Sequence, residues 1–158
     1  MAITDVDRQF LTRAVDLAEQ ALRAGDEPFG SVLVSPTGQV LLEDHNRVSG
    51  GDRTQHPEFA IARWAAQHLS AELRRACIVY TSGEHCPMCA AAHGWVGLGR
   101  IVYASSSAQL ATWSAELGLP PSLVVPHPVK AIVPTAVVDG PDEELAPRVR
   151  ELHARRAG

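Results

Sequence analysis

A chain of 158 residues, 46% apolar and 20% charged, predicts a single domain over residues 1–158 with a core of its own. It contains no run of about 18 apolar residues, which argues against a membrane-spanning helix. Fourteen basic against 18 acidic residues leave a net charge of −4, a poor starting point for a nucleic-acid binder.

In chain order, Thr4 or Asp5 can cap a first helix whose apolar residues, from Phe10 to Leu22, recur at helical spacing until Gly25. Residues 31–34 and 39–42 flank Ser35-Pro36-Thr37-Gly38 and predict a β-hairpin. A polar loop follows from Asn46 to Gln55. A second helix is expected from Pro57 to about Leu69, with proline at the first helical position. Residues 76–81 read as a third strand, and a short helix begins near Cys86. Residues 101–104 predict a fourth strand and 107–117 a helix stopped by Pro120-Pro121. Val129 to Val138 predicts a fifth strand interrupted at Pro134, and Asp142 to Arg156 a last amphipathic helix. This alternation predicts an α/β fold: three α/β/α layers around a mixed, about five-stranded sheet, mostly parallel apart from the opening hairpin.

Cys77, Cys86 and Cys89 are too few for a disulfide framework. Asp5, Asp7, Arg8 and Arg13 make the first residues unlike an export signal, so a reducing cytoplasm is expected. In its apolar run Cys77 reads as a small buried hydrophobe. Cys86 and Cys89 form a C-x-x-C at a helix start, where free N–H groups and the positive end of the helix dipole favour thiolate. His56-Pro57-Glu58 opens another helix. Each signal is weak alone. Together they offer one imidazole, two thiolates and a neighbouring carboxylate, the donor set of a catalytic zinc (Zn2+) with an open fourth position.

His56-x-Glu58 followed by Cys86-x-x-Cys89 resembles the cytidine deaminase-like superfamily of zinc deaminases. Glu27-Pro28-Phe29-Gly30-Ser31-Val32, His45-Asn46-Arg47-Val48, Glu84-His85-Cys86-Pro87-Met88-Cys89 and Gly99-Arg100-Ile101-Val102-Tyr103 resemble its guanine deaminase and tRNA adenosine deaminase branch. The resemblance covers roughly Ala21 to Ala104. It departs at Pro57, where the branch usually has alanine, and at His85, where it usually has proline.

The resemblance implies the cytidine deaminase-like fold, one zinc on His56, Cys86 and Cys89, and hydroxide formed from zinc-bound water as the attacking group. Glu58 would shuttle protons, and the products would be a keto heterocycle and ammonia. It further implies that Asn46 hydrogen-bonds the heterocycle through an amide able to donate and accept. Phe29 and Trp95 are expected either at the substrate or in the core, and Trp113 and Glu116 as closing groups. Pro57 and His85 are expected to tune which base fits. The leading expectation is hydrolytic deamination of a free nucleobase or related aminated heterocycle, a small-molecule substrate, without nucleic acid or membrane. The alternatives are a tRNA adenosine deaminase and a non-catalytic zinc-stabilised interaction module. The module would need a fourth ligand from Cys77, His85 or His93. The family also implies a homodimer, with the segment after Pro134 available to a partner's site.

Overall fold

The computed structural model describes residues 2–158. Thr4 caps the first helix, α1 (Asp5–Arg23): its hydroxyl accepts from the Asp7 N–H, and the Asp7 carboxylate accepts from the Thr4 N–H. One stripe of α1, including Leu11, Val15 and Ala18, is buried. It lies on a sheet whose strands are β1 (Gly30–Val34), β2 (Val40–His45), β3 (Ile78–Gly83), β4 (Ile101–Ser105) and β5 (Val138–Asp139). The strand order is β2-β1-β3-β4-β5. β1 runs antiparallel to both β2 and β3, while β3–β4 and β4–β5 are parallel. The sheet is therefore mixed as expected, but half antiparallel, because the hairpin inserts β1 rather than β2 beside β3.

The remaining helices are α2 (Pro57–His68), α3 (Ala71–Ala76), α4 (Pro87–Val96), α5 (Ser107–Glu116), α6 (Val129–Ile132) and α7 (Ala146–Ala157). Strand alternation divides the core into layers. Val32, Val34, Tyr80 and Val102 pack with Leu11, Val15 and Leu152 on the α1 and α7 side. Leu33 and Val79 pack with Ile61, Ala62 and Ala65 on the α2 side, and Ile101 and Tyr103 with Ala90 and Val129 beside α4 and α6. Gly30 permits this closeness: a Cβ there would stand 2.3 Å from the Ala14 carbonyl oxygen and 2.6 Å from the Ala18 nitrogen.

Two elements differ from expectation. Residues 129–132 form α6 instead of strand, because the Val129 N–H is taken by the Glu84 carboxylate at 2.8 Å, which starts a helical turn after Pro128. The fifth strand shrinks to Val138–Asp139, followed by Gly140 and Pro141. The second is α3, between the expected second helix and third strand. Ser70 caps it, accepting from the Leu73 N–H, but none of its residues is buried, so it has no apolar stripe to reveal it.

At the end of the sheet where β4 begins, Arg100 binds both Asp7 oxygens (3.0 and 3.1 Å) and reaches Asp139 through Nε (2.8 Å). Tyr80 donates to Asp7 at 2.7 Å. Burial alone would raise the Asp7 pKa, but Arg100, the Thr4 N–H and Tyr80 bring it down to about 2. A carboxyl depressed in the folded state stabilises above its unfolded pKa, and that contribution fades as pH falls through the folded value. The stability gap between the wild type and Asp7→Asn, measured by urea unfolding, should therefore narrow by about 2 kcal/mol between pH 5 and pH 2. A gap constant over that range would contradict the network.

Candidate active site

Two helices begin at the same end of the sheet, where β3 and β4 finish. β3 leads through Glu84 and His85 to Cys86, the N-cap of α4, with Pro87 in the first turn. The loop after β2 leads to His56, the N-cap of α2, with Pro57 next. Proline is tolerated at both starts because an N–H there would have no intrahelical acceptor. Cys89 falls on the same face as Cys86, one turn into α4. The Cys86 and Cys89 sulfurs are 3.5 Å apart, and His56 Nδ1 lies 3.5 Å from the first and 3.6 Å from the second.

These edges suit three corners of a tetrahedral zinc site, whose bonds of about 2.0–2.3 Å hold ligand atoms about 3.3–3.8 Å apart. Among the described residues no fourth His, Cys, Asp or Glu atom joins the cluster. Cys77 is instead buried in the core below α2, and His93 Nε2 is bonded to the Gly99 carbonyl. An open fourth position marks a catalytic rather than a structural zinc. The thiol pair holds a single negative charge readily, on Cys86. A hydrogen bond from Cys89, outweighing burial, and His56 nearby bring the Cys86 pKa down to about 4. The Cys89 thiol is pushed up, first by its bond to Cys86 and then by burial. His56 is raised, chiefly by Cys86.

Glu58, in the first turn of α2, is only 5% exposed. One of its oxygens accepts from Thr81 Oγ1 at 2.8 Å and Ser31 Oγ at 3.1 Å, hydroxyls from facing positions on β3 and β1. Burial raises its pKa above the usual carboxylate range, against the Thr81 bond and the His56 charge. Ser31 and Thr81 were not singled out from the sequence. Their signal is a polar residue at a fully buried position within an apolar strand. Glu84 is another late arrival. Its carboxylate accepts from the Ser107 and Val129 N–H groups, tying the cysteine loop to the starts of α5 and α6.

Asn46 is buried beside β1. Its Oδ1 accepts from the Val48 N–H at 3.0 Å and the Glu27 N–H at 3.4 Å, so its amide has only the NH2 left to offer a ligand, rather than both a donor and an acceptor. Phe29 is half-buried and meets His153 edge-on at 5.3 Å; Trp113 lies 6.5 Å from the same imidazole. Pro57 is buried at the start of α2.

Three expected substrate residues are not gathered in. His85 is 1% exposed, both its ring nitrogens are sealed and unpaired, and the ring packs edge-on against His93 at 5.3 Å. Trp95 is 89% exposed, because Cys89, Ala90 and His93 occupy the inner face of α4. Glu116 ends α5, about 14 Å along the helix from its start near β4, and pairs with Arg150 at 3.2 Å.

Three candidate ligands and an adjoining buried carboxylate make up the donor set of a catalytic zinc. Residues 4–105 match the cytidine and deoxycytidylate deaminase zinc-binding region, and the chain belongs to that family. It is 31% identical over 144 residues to a probable cytosine deaminase of Schizosaccharomyces pombe, covering 84% of this chain and 86% of that one. It is 38% identical over 117 residues to the guanine deaminase of Bacillus subtilis, covering 73% and 72%. Its fold matches a solved structure of a variant of the protein NE0047 in complex with 8-azaguanine, with a TM-score of 0.73 over 99% of this chain and 86% of that one, at 17% identity.

Purified protein should carry about one zinc per chain, and Cys86→Ala and Cys89→Ala should each lose most of it by elemental analysis. Full retention in both variants would refute the ligand set.

Proposed function

We propose that the chain hydrolytically deaminates a free nucleobase or a related aminated heterocycle, exchanging a ring amino group for a carbonyl with release of ammonia. The observation that carries this is Glu58: a buried carboxylate, held by Ser31 and Thr81, in the same helical turn that delivers His56 to the cysteines. When bound, zinc supplies a Lewis acid that brings the pKa of water towards neutrality.

Glu58 takes one proton from the attacking water and passes it to the ring nitrogen next to the attacked carbon; it then takes the second proton from the hydroxyl now on that carbon and delivers it to the amine as the C–N bond breaks, leaving a carbonyl and ammonia. A raised pKa suits a group that must both accept and give at neutral pH. The Asn46 NH2 donates to a carbonyl or ring nitrogen, and Phe29 packs against the heterocycle. Pro57 has no backbone N–H to add to that recognition.

A small substrate fits the charge distribution. The arginines that make the C-terminal helix basic are each paired with an acid: Arg148 with Asp16, Arg150 with Glu116, Arg155 with Glu19 and Arg156 with Glu27. They leave little free positive surface for a phosphate backbone. The proposal includes a homodimer, which light scattering tests; α7 itself packs on α1 of its own chain.

A screen for ammonia release across guanine, cytosine, adenine, their nucleosides, aminotriazines and a tRNA anticodon stem should find activity on a free heterocycle that persists at high salt. Activity confined to the RNA and falling steeply with salt would replace this proposal with tRNA adenosine deamination. Glu58→Gln should keep its zinc and fold yet lose about 10²–10⁴ in turnover, the weight of a positioned acid–base group. Near-normal turnover would remove Glu58 from the chemistry.

A further inference from the structure

We infer that Ser31 and Thr81 are positioning residues for turnover, holding Glu58 Oε1 so that Oε2 is the oxygen that carries protons; this rests on the deaminase reading above. Both hydroxyls converge on the one oxygen, Thr81 Oγ1 at 2.8 Å and Ser31 Oγ at 3.1 Å. They are themselves 2.8 Å apart, and neither bonds Oε2. The carboxylate stands beside the metal-donor set. The Cys89 thiol, raised first by its bond to Cys86 and then by burial, is raised further by the charge of Glu58 and a hydrogen bond to it.

Strand register puts these hydroxyls where α2 begins. Leu33 pairs with Val79 across β1 and β3, and the next pair on the same face is Ser31 with Thr81. The first pair packs under Ile61, Ala62 and Ala65 of α2. The second meets Glu58 in the first turn of that helix, and there the apolar ladder gives way to two hydroxyls, both 0% exposed. A donor lost at that depth is not replaced from solvent. The terminal torsion of a glutamate is broad and two-fold, so packing alone does not choose which oxygen faces the reacting atoms. Donors on Oε1 do. Thr81 Oγ1 also lies 3.0 Å from the Gly83 carbonyl oxygen, at the end of the strand that leads into the cysteine loop. Each hydroxyl carries one proton. If Thr81 turns to Gly83, Ser31 still donates to Oε1; if Ser31 turns to Thr81, Thr81 does. The two therefore cover for each other in part.

The test uses the zinc-loaded protein with guanine, cytosine and 8-azaguanine as probes. KM and kcat are read from ammonia release, zinc content from elemental analysis. Thr81→Val keeps the shape and removes the hydroxyl. It should lower kcat about 10- to 100-fold, the weight of a misplaced reacting group, with KM within about threefold and zinc at about one per chain. Ser31→Ala should act in the same direction, and it serves as the second arm if the valine variant does not fold. The double replacement should lose more than either. Thr81→Ser, which restores the hydroxyl, should recover most of the turnover. Because both residues act through Glu58, Thr81→Val should cost nothing further in a Glu58→Gln background, whereas a general loss of packing would slow that background by the same factor. In an active protein, kcat within about twofold of the parent in both single variants, or an equal loss in the Glu58→Gln background, would overturn the positioning role. A wild type that releases no ammonia from any heterocycle would overturn the deaminase reading, and the inference with it.

Discussion

The carboxylate of Glu58 is the constraint on which the site depends. A buried carboxylate is stable only when its lone pairs are answered. Here Ser31 and Thr81 answer one oxygen from neighbouring strands. That grip fixes the first turn of α2 against the sheet, and His56, the residue that caps the turn, is fixed with it. The same strand that contributes Thr81 runs on through Gly83 into the cysteine loop. One set of hydrogen bonds thus ties the start of α2, with its imidazole and carboxylate, to the strand that leads into the cysteine loop. Apolar residues at positions 31 and 81 would suit the strands better and leave Glu58 stranded.

The metal-donor set is legible in the sequence because its pairs are local. His56 and Glu58 share one helical turn, as do Cys86 and Cys89, so spacing alone says that each pair acts together. What spacing cannot convey is contact across the fold. The Asp7–Arg100 pair joins residues 93 apart and has no sequence signature. The β-rich run from Val129 is overridden by a cap from Glu84, 45 residues earlier. Trp95 was within reach of a periodicity argument: position 95 lies off the face defined by Cys89 and His93. His153 carries no motif at all, and only the folded position of α7 brings it to Phe29.

Charge supports the same picture. The surface arginines of α7 pair with acids on α1, α5 and the loop before β1. The N-terminal two thirds carry the residues positioned to hold the metal, His56, Cys86 and Cys89, and the buried Glu58 carboxylate. The C-terminal third, where family likeness is weakest, supplies α5 and α7 around Phe29. Such a division lets one catalytic centre accept different heterocycles by changing the wall rather than the chemistry.

The central claim is hydrolysis: water replaces the amino group, with Glu58 handling the protons. It is tested most directly by running the zinc-loaded enzyme in heavy-oxygen water on the heterocycle it deaminates and weighing the product by mass spectrometry. The account predicts one heavy oxygen in the keto product for every ammonia released. Ammonia without incorporation of the label, or a zinc-loaded protein that releases none from any heterocycle, would contradict it.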